Sequence, residues 1–217
     1  MTADLFESIP DVRPAQEAIA EGAVLLRGFA LPVEADLIAA LRAIVEQSPF
    51  RHMVTPGGHQ MSVAMTNCGN AGWVTDRTGY RYDGVDPESG QPWPAMPAVL
   101  RELAGEAAAD GGFKSFSPDA CLINRYQPGA RMSLHQDKDE LDFAAPIVSV
   151  SLGIPAIFLF GGLKRSDKPV RFRLVHGDVV VWGGPSRLFF HGVTQLAEAD
   201  HAVLGRQRIN LTFRKAR

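Results

Sequence analysis

Residues 147–160 read IVSVSLGIPAIFLF, and this stretch decides the class of fold. The runs 147–153 and 156–160 consist largely of β-branched and aromatic residues, which favour strands. From about residue 119 onward the chain repeats this pattern of short strands and Gly-rich turns, and it predicts further strands at 122–126, 170–175, 178–182 and 208–214. Many short strands separated by such turns are typical of a double-sheet jelly roll.

Two helices are predicted before the strand region. Residues 33–47 place apolar side chains at helical spacing, and Pro49 ends the pattern. Residues 97–109 carry a second apolar stripe, which stops at Gly111-Gly112. Helices gathered at one end of the chain fit a supporting layer on one of the two sheets.

The fold class is therefore α+β and mainly β, in one domain. Its core is expected to be a double-stranded β-helix, or jelly roll. The segment between the helices is rich in Gly, Pro and aromatic residues and has little helical period, so we expect a substrate-recognition lid there. The predicted organisation is one domain over 1–217, N-terminal helical support in 1–49, the lid in 50–95 and the jelly-roll core in 119–217.

Composition narrows the class of partner. The chain has 217 residues and a formal net charge of −2, so any basic contact must be local. Cys68 and Cys121 lie far apart in the sequence and share no metal or redox motif, which is typical of reduced thiols. No apolar run approaches a membrane span and no secretory signal is present, so we expect a cytoplasmic protein. A monomer is the default expectation.

A His-x-Asp pair and a later histidine indicate a metal site. His135 and Asp137 point to the same side of an extended segment, and His191 can close the face from a second segment. Two histidines and one carboxylate with the opposite positions open are the ligands of non-haem Fe(II) oxygenases. A His-x-Asp pair also occurs in ordinary surface loops, where turn and solvent contacts account for it.

The last predicted strand carries a second polar pattern. In 208–214 (RINLTFR) the residues Arg208, Asn210, Thr212 and Arg214 share one face, and the apolar residues share the other. If the apolar face packs on the helices, two arginines enter the barrel, where they need an anion such as a small dicarboxylate. The alternative is a solvated edge strand with exposed arginines.

An ordered set of motifs closely resembles the AlkB family of Fe(II)- and 2-oxoglutarate-dependent nucleic-acid dealkylases. In the N-terminal half these motifs are 53–58 (MVTPGG), 61–69 (MSVAMTNCG) and 93–97 (WPAMP). In the C-terminal half they are 124–126 (NRY), 128–129 (PG), 135–139 (HQDKD), 149–153 (SVSLG), 160–162 (FGG), 176–178 (HGD), 191–192 (HG) and 208–214 (RINLTFR). The resemblance covers nearly the whole chain.

The resemblance implies a role for each matching residue. It makes His135, Asp137 and His191 the iron ligands. The 2-oxoglutarate contacts would be Asn124, Tyr126, Arg208, Asn210 and Arg214, with Arg214 on the carboxylate far from the metal and Arg208 on the near one. The pocket for the damaged nucleotide would comprise Thr55, Met61, Trp73, Tyr80, Asp139 and Arg165.

The family implies oxidative dealkylation of bases of the 1-methyladenine and 3-methylcytosine type. Fe(II) would be the metal, with 2-oxoglutarate and O₂ as cosubstrates, and the partner would be alkylated single- or double-stranded DNA, with RNA as a further candidate. A basic cluster around Gly161-Gly162 (Lys164, Arg165, Lys168, Arg171 and Arg173) fits phosphate binding, although such a cluster is also a common solvated hairpin face.

Two other functions fit the residues less well. The same iron chemistry could act on a protein side chain or a small metabolite, and the 50–95 segment with the basic hairpin distinguishes these substrates. A non-catalytic binding module on a jelly-roll scaffold is the third reading. The intact set of metal and arginine residues argues against it.

Overall fold

The structure, a computed structural model, describes residues 14–217. Two helices lie in the N-terminal half, α1 (Glu34–Gln47) and α2 (Ala98–Asp110). The first strands are β1 (Gln16–Ala20), β2 (Ala23–Leu26), β3 (Ala64–Gly69), β4 (Gly72–Asp76) and β5 (Gly79–Asp83). The others are β6 (Ala120–Tyr126), β7 (Met132–His135), β8 (Ile147–Gly153), β9 (Ala156–Phe160), β10 (Val170–Leu174), β11 (Val179–Trp182), β12 (His191–Val193) and β13 (Arg208–Arg214).

These strands form two facing sheets and one separate hairpin. The large sheet has seven strands in the order β1-β2-β11-β8-β13-β6-β3, and the small sheet has four in the order β10-β9-β12-β7. Within residues 14–217, strands β4 and β5 pair only with each other. The predicted jelly roll with helical support is confirmed.

The helices cover the outer face of the large sheet. Their buried stripes, which include Leu37 and Leu100, belong to one apolar cluster with Ile209, Leu211 and Phe213 of β13. Because side chains alternate along a strand, the other face of β13 points between the sheets. The central position of β13 in the sheet rules out the solvated edge strand that the sequence left open.

A second apolar cluster lies between the sheets. Trp182 of β11 packs there against Phe158 and Phe160 of β9, with ring centroids 6.2 and 6.1 Å apart. Buried aromatic pairs at such distances stabilise the contact between layers. Phe158 and Trp182 also line the cavity onto which the polar face of β13 opens.

Two of the predicted segments contain strands that the sequence did not predict. The segment 1–49, predicted as helical support, contributes β1 and β2 to the large sheet. The segment 50–95, predicted as a lid, contributes the buried strand β3, which pairs with β6. Both β2 and β3 are short and buried on both faces, so they lack the polar–apolar alternation that marks a strand in sequence.

The two cysteines are neighbours despite their distance in sequence. Cys68 of β3 lies directly opposite Cys121 of β6, and both are buried free thiols. Burial and the neighbouring Cys68 thiol raise the pKa of Cys121 well above its usual range, which keeps this thiol protonated.

No helix within 14–217 is long and apolar enough to cross a membrane.

Candidate active site

Two strands of the small sheet bring the metal-binding histidines together. His135 at the end of β7 lies directly opposite His191 at the start of β12. The pairing slips after this point, because Val193 lies opposite Met132, and such a bulge re-aims side chains at the edge of a site. Asp137 follows β7 by two residues and completes a set whose ligand atoms all lie within 4.8 Å of one another.

The geometry of this set suits a divalent metal. Nε2 of His135 lies 3.7 Å from Oδ1 of Asp137, and Nε2 of His191 lies 3.7 Å from Oδ2. Nδ1 of each ring lies within hydrogen-bond distance of a backbone carbonyl, that of Ser133 at 2.9 Å and that of Phe189 at 3.0 Å. When Nδ1 donates its proton to a carbonyl, Nε2 keeps the lone pair that a metal requires.

The protonation states also suit metal binding. Burial and the nearby His135 imidazole lower the pKa of His191 to about 4, so its ring is neutral at pH 7. Burial alone would raise the pKa of Asp137, but the charges of Arg214 and the two imidazoles lower it well below its usual range. Two imidazoles and one carboxylate, with one side open to a cavity, are the donor set of Fe(II) oxygenases.

The polar face of β13 supplies unpaired cationic donors to the same cavity. Arg208 and Arg214 are both buried, and Arg208 donates from Nη2 to the hydroxyl of Ser151 over 2.9 Å. Among the described residues, no hydrogen-bond partner is present for Nε and Nη1 of Arg208 or for Nη1 of Arg214. Buried guanidinium donors without partners are costly, so these atoms fit an anionic ligand such as a dicarboxylate.

The order of the two arginines is the reverse of the one expected. Arg214 donates from Nη2 and Nε to Oδ2 of the metal ligand Asp137, over 2.6 and 3.0 Å. Arg208 lies at the other end of β13, where its guanidinium is 5.1 Å from the ring centroid of Tyr126. Six residues of strand span ~20 Å. Arg214 is therefore the arginine near the metal, and Arg208 is the one far from it.

Three residues of this site, of which Glu140 and Arg187 are buried, were missed by the sequence analysis. Glu140 accepts a hydrogen bond from the Tyr82 hydroxyl over 2.6 Å and pairs with Nη2 of Arg187 over 3.1 Å. Arg187 also donates from Nη1 to the backbone carbonyl of Asp137 over 2.8 Å. Glu140 stands in the charged run 137–140, which looks solvent-exposed in sequence, so only the fold reveals its burial.

The residues expected around the damaged nucleotide form the rim of the same cavity. Trp73 of β4 stacks on Tyr80 of β5 with centroids 5.7 Å apart, and its Nε1 donates to Asp139 over 2.8 Å. Arg165 donates from Nη1 to the carbonyl of Leu134 over 2.6 Å. We define the rim as Thr55, Met61, Trp73, Tyr80, Asp139 and Arg165.

One cavity of about 900 Å³ contains both sets of residues. We define its floor as the metal-binding triad with the expected cosubstrate residues: His135, Asp137, His191, Asn124, Tyr126, Arg208, Asn210 and Arg214. Every residue that the resemblance assigned to a role thus lines a single space. The structure brings these residues together from both sheets and from the β4–β5 hairpin.

Comparison with known proteins agrees with this geometry. The family model of the 2OG-Fe(II) oxygenase superfamily matches residues 22–214. Alpha-ketoglutarate-dependent dioxygenase AlkB of Escherichia coli strain K12 is 58% identical over 213 residues, which is 98% of this chain and 97% of that protein. The chain belongs to the AlkB family. It is an Fe(II)- and 2-oxoglutarate-dependent dioxygenase, and the reading as a non-catalytic binding module is wrong.

Two further comparisons place this AlkB-family enzyme among its relatives. The AlkB homolog of Caulobacter vibrioides strain NA1000 is 46% identical over 182 residues, which is 83% of this chain and 81% of that protein. The solved structure of OsALKBH1 superposes with a TM-score of 0.80 at 30% identity, over 92% of this chain and 99% of that one. The match over nearly the whole length supports the jelly-roll architecture.

Proposed function

We propose that this AlkB-family enzyme removes N-alkyl groups from nucleobases of the 1-methyladenine and 3-methylcytosine type, in DNA and also in RNA. The single observation that carries the proposal is the composition of the cavity. An aromatic and acidic rim leads directly to the metal triad of the floor. A flat cationic base fits this rim, because it stacks on Trp73 and is attracted to the Asp139 carboxylate.

The floor would hold the cosubstrate by its two carboxylates. Arg208, with the nearby Tyr126, would receive the carboxylate far from the metal through its unpaired Nε and Nη1. Arg214 would engage the metal end of the molecule through Nη1, which has no partner in the described range. Hydrogen bonds from a charged guanidinium to a carboxylate are strong and directional, so both ends of a dicarboxylate would be oriented.

Bound Fe(II) and 2-oxoglutarate supply the oxidation of a methyl C–H bond by O₂, in which 2-oxoglutarate becomes succinate and CO₂. One oxygen atom enters succinate and the other the methyl group. The hydroxymethylated nitrogen then breaks its N–C bond, which releases formaldehyde and the restored base. The protein positions the methyl group and shields the reaction from water.

The base must leave its stack to reach the floor. A methyl group within a duplex cannot approach the buried triad, so the substrate is a flipped base or an unpaired strand. We propose that the β4–β5 hairpin, together with the loop carrying Thr55 and Met61, is the lid over this base. Trp73 and Tyr80 both lie on this hairpin.

The basic cluster at the β9–β10 turn supports a nucleic-acid substrate. Lys164, Arg165 and Lys168 are exposed there, and Arg165 lies on the rim of the cavity. The turn is fixed beside the metal site, because backbone hydrogen bonds join Gly161 and Gly162 to Phe190, the neighbour of His191. Exposed cations held at the mouth of the cavity suit the phosphates that flank the target base.

The test is the mass of an oligonucleotide carrying one 3-methylcytosine, incubated with the enzyme, Fe(II), 2-oxoglutarate and ascorbate under air. We expect the loss of one methylene, dependent on both iron and 2-oxoglutarate, in a single strand, in a duplex or in both. An unmethylated oligonucleotide is the control. Consumption of 2-oxoglutarate with no change in mass would instead favour a protein or small-molecule substrate.

A further inference from the structure

Two hydrogen bonds and one ion-pair contact join the β4–β5 hairpin to the metal triad. The Tyr82 hydroxyl on β5 donates to Oε1 of Glu140 over 2.6 Å, and Nε of Arg214 lies 3.3 Å from the same oxygen. Arg214 in turn donates from Nη2 to Oδ2 of Asp137 over 2.6 Å. Glu140 is buried, so these contacts are shielded from water and persist better than surface pairs.

The same hairpin also contacts the neighbouring acid, Asp139. Trp73 and Tyr82 are direct cross-strand partners on β4 and β5. Trp73 bonds to Asp139 on the exposed rim, and Tyr82 bonds to Glu140 on the buried side. One pair of residues on the hairpin is therefore attached to both faces of the loop that carries Asp137. A ligand that orders Trp73 must also act on Tyr82.

Glu140 adds a second carboxylate beside Nε of Arg214. Asp137 accepts from both Nε and Nη2 of the guanidinium, Oε1 of Glu140 lies 3.3 Å from Nε, and Nη1 is left buried without a partner in the described range. Because the guanidinium group is planar and rigid, fixing two nitrogens fixes the direction of the third. Arg187 pairs with the other oxygen of Glu140 over 3.1 Å and balances its charge.

We propose that Glu140 is a positioning residue that orients the Arg214 guanidinium toward the metal end of 2-oxoglutarate. Through Tyr82, this orientation depends on how well the β4–β5 hairpin is ordered. A base held by the rim then strengthens 2-oxoglutarate binding, and by thermodynamic linkage 2-oxoglutarate strengthens base binding by the same factor. The coupling to a base rests on the proposed function, whereas the positioning by Glu140 does not.

Tyr82→Phe tests the coupling, because it removes one hydroxyl and keeps the ring packed near Ala71, Ala120 and Ala216. The matched control is Thr78→Val, which removes a hydroxyl from the turn of the same hairpin, where it bonds only to neighbours in that turn. The affinity for 2-oxoglutarate is measured without O₂ through the visible charge-transfer band of the Fe(II) complex, with and without a 3-methylcytosine oligonucleotide.

We expect the oligonucleotide to tighten 2-oxoglutarate binding by about five-fold or more in the wild type and in Thr78→Val. In Tyr82→Phe the factor should fall to about one, since the hairpin no longer reaches Glu140. A wild type without coupling, or a Tyr82→Phe variant that keeps the full factor, would overturn the role of Tyr82.

Glu140→Gln tests the positioning itself and needs no oligonucleotide. We expect a dissociation constant for 2-oxoglutarate raised about ten-fold, the size of one weakened hydrogen bond to a charged group, with kcat near the wild-type value at saturating 2-oxoglutarate. Adding Tyr82→Phe to Glu140→Gln should raise this dissociation constant no further, because both substitutions act through the same oxygen atom of residue 140. An unchanged dissociation constant, or an equal fall in kcat with additive losses, would show a purely structural network.

Discussion

The floor and the rim of the cavity are built in opposite ways. Asp137, His191, Arg208 and Arg214 on the floor are buried, and three of the four lie within strands, although His135 remains partly exposed. On the rim, Tyr80 is 50% exposed, and Asp139 and Arg165 are exposed as well. The floor is thus preorganised for chemistry by the sheets, whereas the rim is held by a few hydrogen bonds and can adapt to a base.

Asp137 and Asp139 provide the sharpest test of this contrast, because two carboxylates two residues apart belong to different parts of the cavity. Asp137→Ala should reduce iron-dependent turnover below detection, since it removes a metal ligand. Asp139→Ala should keep the Fe(II)–2-oxoglutarate complex and lose activity only on methylated bases. Metal binding by calorimetry and turnover by succinate release check both. Full activity of the Asp137→Ala variant would show that Asp137 is not a metal ligand.

The next largest effect is expected for Arg208 at the far end of the floor. Arg208→Met should raise the 2-oxoglutarate requirement roughly 10- to 150-fold, because a hydrogen bond to a charged group is worth about 1.5–3 kcal/mol. The matched control is Arg125→Met on β6, since the Arg125 guanidinium lies over the ring of Phe50. Steady-state kinetics with varied 2-oxoglutarate measure both. Equal effects of the two changes would reject a cosubstrate role for Arg208.

A substitution of Trp73 should affect turnover of the methylated base more than the chemistry of the floor. Trp73→Ala removes a stacking surface worth about 1–3 kcal/mol per base and should reduce methylated-base turnover about 5- to 150-fold. The decay of 2-oxoglutarate without a nucleic-acid substrate should change much less, because the floor is intact. Both rates come from succinate release with and without the oligonucleotide. A parallel loss in the two rates would indicate a folding defect.

The smallest effect is expected at the basic β9–β10 turn. Lys168→Ala should weaken binding of methylated and unmethylated single strands alike, and should reduce the slope of log affinity against log salt by roughly 0.7 per lost phosphate contact. Lys114→Ala, an exposed lysine just after α2, is the control. Fluorescence anisotropy at several salt concentrations gives the slopes. An effect confined to the methylated strand would mean that Lys168 contacts the base.

Sequence patterns predicted the floor better than its surroundings. The strict alternation in 208–214 gave both the bounds of β13 and the face that lines the cavity, because alternation follows from backbone geometry. β7 and β12 were not predicted, since neither exceeds four residues and the pairing between them is irregular. The roles of Trp73 and Asp139 came from family resemblance, because their contact depends on the path of the whole hairpin.

The order of the two arginines and the burial of Glu140 were beyond sequence reasoning. Alternation places Arg208 and Arg214 on one face, but it does not say which end of the strand lies at the metal. Asp137 decides this, and its position depends on the small sheet folding over the large one. Likewise, a glutamate in a charged run becomes a buried partner only when Arg187, Arg214 and Tyr82 converge on it.

The most direct test of oxidative dealkylation is to quantify succinate, formaldehyde and restored cytosine in one reaction with a 3-methylcytosine oligonucleotide. Formaldehyde and restored base should appear in equal amounts, and succinate should match them once the slow decay measured without the oligonucleotide is subtracted. Succinate formed at the same rate with and without the oligonucleotide, and with no formaldehyde, would contradict a nucleobase substrate and leave an oxygenase of a different target.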